Sequence, residues 1–249
     1  DLEGAVADFD QALEKAGNKS NKASAFNADV LWYRAEAEMF LADYEAASHT
    51  YDLVAEQGGD KISSLYMKAV CAGKLEDKDQ AVSYYREALG MEKEGVRSPG
   101  YEEALIAAGS ACVKAQDSET AKSLYEEALN SGKTGEKLES RIYNQLGLCQ
   151  MAEEDYEGAA DSFYQGYDRL ITSYKAGTGA SLDQAAAAIT EENQADWQLL
   201  KKLAFYQAAV CEDMQNYGEA KSRFETYIQV FGPDEAAQHE IDFLNTRIR

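Results

Sequence analysis

Small, apolar and aromatic residues return along this chain at a fixed spacing. Between Asn144 and Gly166 a small residue at Gly147 is followed twelve positions on by Ala159, four further by Phe163 and three further by Gly166. The same steps lead through Ala35, Ala47, Tyr51 and Val54, through Ala69, Ala81, Tyr85 and Ala88, and through Gly109, Ala121, Tyr125 and Ala128. A last complete set runs Ala208, Ala220, Phe224 and Tyr227, while Ala5, Phe9 and Ala12 fit the second half of a unit whose first half is missing. Alanine is common in helices and matches by chance, but the aromatic position is Phe or Tyr in all six sets. The spacing predicts pairs of antiparallel helices. The small residue of the first helix lets the second approach closely, the alanine meets it, and the aromatic lies one turn along the same face. One pair cannot cover its own apolar face, so neighbouring pairs must stack. Val54 and Tyr227 replace the small closing residue and predict looser packing at those two places.

The turns between paired helices read LADYEAA, KLEDKDQA, KAQDSETA, AEEDYEGAA and MQNYGEA. With these turns and the small, alanine, aromatic, small spacing, the chain resembles the tetratricopeptide repeat family over nearly its whole length. The resemblance implies an all-α fold, a right-handed superhelical α-solenoid of about five and a half units that forms one array over residues 1–249. A half repeat is expected at 1–16, repeats at about 28–58, 62–94, 102–132, 140–174 and 200–231, and a capping helix at 234–248. The family's leading tryptophan and closing proline are mostly absent; Trp32 lies near the first and Pro233 near the second. The central alanines, Ala5, Ala47, Ala81, Ala121, Ala159 and Ala220, are 42, 34, 40, 38 and 61 residues apart. The last interval requires an insertion at about 175–199. Within it, Lys175 to Ser181 reads as a Gly-rich break, Ser181 as the N-cap of a short helix, and Trp197 as the opening of an extended first helix.

Only two prolines, with 45 % apolar and 28 % charged residues, fit a soluble helical protein. The formal charge of −21, from 45 acids against 24 bases, opposes binding to nucleic acid or to an anionic membrane. No apolar run approaches the roughly 20 residues that span a bilayer. Beginning inside a repeat, the chain reads as trimmed from something longer. Acidic arrays of this family resemble exported, membrane-tethered bacterial proteins; the expectation leans to the cell envelope with a leader removed, the cytoplasm being the alternative.

Candidate chemistry dissolves on inspection. Gly132-Lys133-Thr134 would need a glycine where Glu127 stands to form a phosphate loop, and Gly177-Thr178-Gly179 lacks the strand and third glycine of a dinucleotide turn. His239-Glu240 would need a second histidine where Phe243 stands, and His49 is the one other histidine. The acidic turn from Glu76 to Asp79 has neither the glycine nor the closing glutamate of an EF-hand. Cys71, Cys112, Cys149 and Cys211 follow the small residue of four successive first helices by two or three positions, which marks them as packing residues. The expectation is no enzyme, no metal and no cofactor.

In the tetratricopeptide repeat family the first helices line a concave side. By position, that side would present Trp32, Tyr33 and Glu36, then Tyr66, Met67 and Val70, then Ile106. It would continue with Asn144, Gln145 and Leu148, and end with Phe205 and Tyr206. Such a groove is aromatic and apolar at both ends with a small polar middle, where Asn144, Gln145 and Leu148 would register a ligand's backbone. An area this apolar should bind something or be filled from within. The family's carboxylate clamp is absent: its lysine would stand at Trp32, Tyr66 or Ile106, and its asparagine at Glu36, Val70 or Ser110. Lys202 matches a later clamp lysine, but Tyr206 replaces the arginine beside it. The expected function is a protein interaction scaffold that docks a peptide or helical segment in the groove. A small-molecule sensor and a structural or oligomerisation module are the alternatives.

Overall fold

The computed structural model describes residues 1–17, 21–93, 96–178 and 193–248, and among these there are twelve α-helices and no strand. In order they are α1 (Leu2–Ala16), α2 (Asn21–Phe40), α3 (Tyr44–Glu56), α4 (Lys61–Lys74), α5 (Lys78–Met91) and α6 (Tyr101–Lys114). There follow α7 (Ser118–Asn130), α8 (Glu136–Ala152), α9 (Tyr156–Thr178), α10 (Gln194–Asp213), α11 (Tyr217–Phe231) and α12 (Glu235–Arg247). They fall into two compact units, Asp1–Leu124 and Tyr125–Arg249. The chain is thus an all-α helical solenoid of helix pairs adjacent in sequence, such as α2 on α3, α4 on α5 and α8 on α9, with α4 also packed on α6.

The pairing begins in the turns. Five of them share one geometry, with Ala42, Glu76, Gln116, Glu154 and Gln215 all left-handed at φ between 59° and 62°. The next residue donates its amide to a carbonyl five positions back, as from Asp43 to Glu38 at 2.9 Å, Asp117 to Cys112 at 2.8 Å and Asn216 to Cys211 at 2.8 Å. This closes the first helix in a Schellman motif. In four turns that same residue is an aspartate whose carboxylate caps the second helix: Asp43 accepts from the Ala46 amide, Asp77 from Gln80, Asp117 from Thr120 and Asp155 from Gly158. One residue therefore ends a helix and starts the next, and the chain has no choice but to reverse sharply. Asn216 makes no side-chain cap bond.

None of the five left-handed residues is glycine, so each carries a Cβ penalty. Ala42 is exposed and has no polar side chain to offset it. Ala42→Gly is expected to stabilise the protein by about 0.5–1 kcal/mol after the entropy of the unfolded glycine is deducted. Urea denaturation reads the gain as a higher midpoint at constant slope; an unmoved or lower midpoint counts against it.

The spaced residues meet as the pattern demands. In the N-terminal unit Ala35, Ala47, Tyr51 and Val54 join Leu31 and Cys71 in one buried cluster. In the C-terminal unit Ala208, Ala220, Phe224 and Tyr227 pack with Ala237, Ile241 and Leu244 of α12, which covers the apolar face of the last pair. Looser packing at Val54 and Tyr227 is not found, because both are buried. Gly59 makes the room for Val54, since a Cβ there would lie 2.6 Å from the valine Cγ1. Tyr227 turns its hydroxyl outward to donate to Asp234 at 3.1 Å and lays its ring on Phe231. The α9 helix also continues to Thr178, through part of the stretch read as a break. The cap assigned to Ser181 lies outside the described residues.

Candidate docking face

Most of the residues assigned to the groove are occupied within their own unit. In the N-terminal unit Tyr66 is buried against Tyr85 and Tyr101, with ring centroids 6.1 and 5.8 Å away. Burial and then the Glu92 carboxylate hold its phenol well above the usual ionisation range. The cover comes from the connection between α5 and α6. Ser98 donates its amide to Glu92 Oε1 at 2.6 Å, and Gly100, at φ 89°, sits with its Cα against Tyr66 and Met67 where a Cβ would come within 3.1 Å of the tyrosine. Val70 is buried too, and Met67 and Ile106 are half-buried. Of the two expectations for the groove, open or filled from within, Tyr66 and Val70 follow the second.

Within the C-terminal unit Phe205 packs edge-on against Phe224 and Tyr227, and Tyr206 stacks on Phe163 at 5.1 Å and 27°. Leu148 lies against the cluster that holds Ala159 and Phe163. Asn144 is buried with its amide oxygen unpaired, and Gln145 is half-buried. These aromatic side chains pack against the core, and Asn144 is itself buried.

The exception is α2. Phe26, Tyr33 and Phe40 are 48 %, 58 % and 79 % exposed. Seven-residue steps drift by only about 20° each, so the three share one face of the helix. Asp29 and Glu36 fall between them at steps of three and four, giving an alternation of aromatic and acid. Phe26 and Phe40 were missed because counting began at the small residue, Ala35; their heptad spacing was the available signal. Trp32, beside this face, is half-buried, edge-on to Tyr51 at 5.2 Å, and donates its indole N–H to Glu36 Oε1 at 2.9 Å. It walls a cleft of about 260 Å³ with Ala28, Val54, Gly59 and Pro99, and Asp29, Asp60 and Ser63 stand in its lining.

Reactive groups are scarce here. The four cysteines are free thiols, and burial pushes Cys71 up to about 12, so it stays protonated and inert. Both histidines are exposed. Among the described residues no three His, Cys, Asp or Glu side chains gather to hold a metal ion, and no helix is long and apolar enough to cross a membrane. The acidic turn at Glu76 is tied to α6, with Lys114 on Glu76 at 2.7 Å and Lys78 on Asp117 at 2.6 Å.

Comparison with known proteins agrees with this architecture. Residues 62–94, the α4–α5 pair, match the family model described as Tetratricopeptide repeat. No curated protein matches the chain by sequence. Among solved structures, BtubC (BKLC) from P. vanneervenii is similar with a TM-score of 0.66 at 14 % identity, over 92 % of this chain and 90 % of that one. YrrB, a TPR protein with an unusual peptide-binding site, gives 0.53 at 16 % identity over 93 % and 96 %. A tetratricopeptide repeat protein from Parabacteroides merdae gives 0.51 at 15 % over 98 % and 92 %. The repeated turn, the buried spacing and the matched pair agree: residues 62–94 match a tetratricopeptide repeat, and the whole chain is similar in fold to tetratricopeptide repeat proteins.

Proposed function

We propose that the chain is a protein interaction scaffold, and that α2 is its principal docking face for a peptide or helical segment of another protein. The carrying observation is the contrast between first helices: Tyr66, Phe205 and Tyr206 are packed within their units, whereas Phe26, Tyr33 and Phe40 are left in water on one face. Three aromatics aligned in this way suit an amphipathic helix with anchors at matching intervals. The peptide-binding site of YrrB, which shares the fold, supports the class of function. The cleft beside Trp32 is smaller than the roughly 300–1,000 Å³ that encloses a drug-sized molecule, so it suits a side chain better than a whole metabolite. No catalytic role is proposed.

Tyr33→Ser combined with Phe40→Ser tests the face. Both side chains are largely exposed, so the melting temperature should stay close to that of the unaltered protein, while each lost anchor weakens capture by about tenfold. Partners retained from an extract of the source cells by the immobilised wild type should be depleted on the variant. An unchanged set of partners on a folded variant would sink the assignment to α2.

A further inference from the structure

The cleft beside Trp32 differs from an ordinary apolar groove in its charge. Its walls are the indole, Ala28, Val54 and Pro99, its carboxylates are Asp29 and Asp60, and among the described residues no basic side chain lines it. The three nearby acids are in different situations. Asp60 accepts from the amides of Ile62 and Ser63 and from the Ser63 hydroxyl, so its charge is matched to the start of α4. Glu36 holds the indole N–H, which fixes the ring. Asp29 is exposed one turn from Trp32 and has no hydrogen bond or ion pair among the described residues.

We infer that this cleft is a socket for a cationic side chain, lysine or arginine, carried by a basic helical segment of a partner lying along α2. The inference rests on the docking reading above and names the chemistry of the occupant. The methylene stem of such a side chain fits the apolar wall, its head lies near the indole and the exposed Asp29 carboxylate, and both contacts favour a cation over a neutral group. The alternation of Phe26, Asp29, Tyr33, Glu36 and Phe40 calls for a complementary helix with apolar anchors about every seven residues and bases between them. A second copy of this chain is a poor occupant, because its net charge of −21 would oppose the same carboxylates. An acidic segment is repelled for the same reason.

Two 18-residue helical peptides test the socket, both with phenylalanine at heptad positions, one with lysine and the other with glutamine between them. In a Trp197→Phe background the Trp32 indole N–H resonance reports on the cleft alone. The lysine peptide should shift that resonance and bind about tenfold more tightly than the glutamine peptide at low salt. The preference should shrink as salt rises. Asp29→Asn should reduce the ratio to about two. Tyr33→Ser should weaken both peptides, and so reports on the docking reading separately. Equal affinities for the two peptides, or a lysine preference untouched by Asp29→Asn, would overturn the socket; if Tyr33→Ser still weakened both, docking on α2 would stand without it.

Discussion

Arg34→Ala should cost the N-terminal unit about 3 kcal/mol, far more than the loss of an exposed charge. Glu38, on α2, is buried, and its carboxylate meets Arg34 Nη2 at 3.3 Å one turn back and accepts from the buried Thr50 hydroxyl of α3 at 2.7 Å. The guanidinium also reaches Asp10 of α1 at 3.2 Å and donates to the Thr50 hydroxyl of α3 at 3.5 Å, so one side chain links three helices. Removing it leaves Glu38 in a dry site with one neutral donor. Breaking a buried pair from one side costs about 3–5 kcal/mol, and the partial exposure of Arg34 places this case at the lower end. The double change Arg34→Met with Glu38→Leu should recover most of the loss, because no charge is then stranded. Urea denaturation of the wild type, Arg34→Met, Glu38→Leu and the double variant gives the coupling directly. A loss below about 0.5 kcal/mol for Arg34→Ala would mean that the pair behaves as a surface ion pair.

That network was not legible in the sequence. Arg34 and Glu38 are four residues apart on a helix, the arrangement most often found in water, and only the packing of α1 and α3 over them makes the site dry. The array itself was legible, because its signal is geometric. A small residue, an alanine and an aromatic must recur where two helices approach, and loops of different length do not disturb that requirement. The groove was less legible for the converse reason. Trp32 and Tyr66 occupy the same place in the repeat, yet Trp32 borders a cleft and Tyr66 is buried. What separates them is the connection ending in Gly100 and Tyr101, which closes over Tyr66. Position in the repeat fixes which way a side chain points. The irregular connections decide whether anything covers it, and these carry no periodic signal. The alternating aromatic and acidic face of α2 could have been found, because its spacing is itself periodic.

The close approach of α8 and α9 makes the second large prediction. A Cβ added at Gly147 would lie 2.5 Å from the ring of Phe163, so even alanine requires the ring or the helix to move. Phe163 cannot yield freely, because it is buried and stacked on Tyr206 of α10. Gly147→Leu is therefore expected to destabilise the C-terminal unit by about 3 kcal/mol, at the upper end of overpacking costs, even though leucine is the better helix former by up to about 1 kcal/mol. Gly147→Ala should lie between leucine and the wild type. The size of the ring, not its polarity, is the obstacle. Adding Phe163→Ala to Gly147→Leu should therefore cost less than Phe163→Ala does alone, since the new side chain fills part of the cavity that the ring leaves. If the denaturation midpoint of Gly147→Leu matched the wild type, the contact of this glycine with the Phe163 ring would not be what sets the spacing of the pair. If the two changes instead added their costs independently, the strain would lie in some other neighbour of α8.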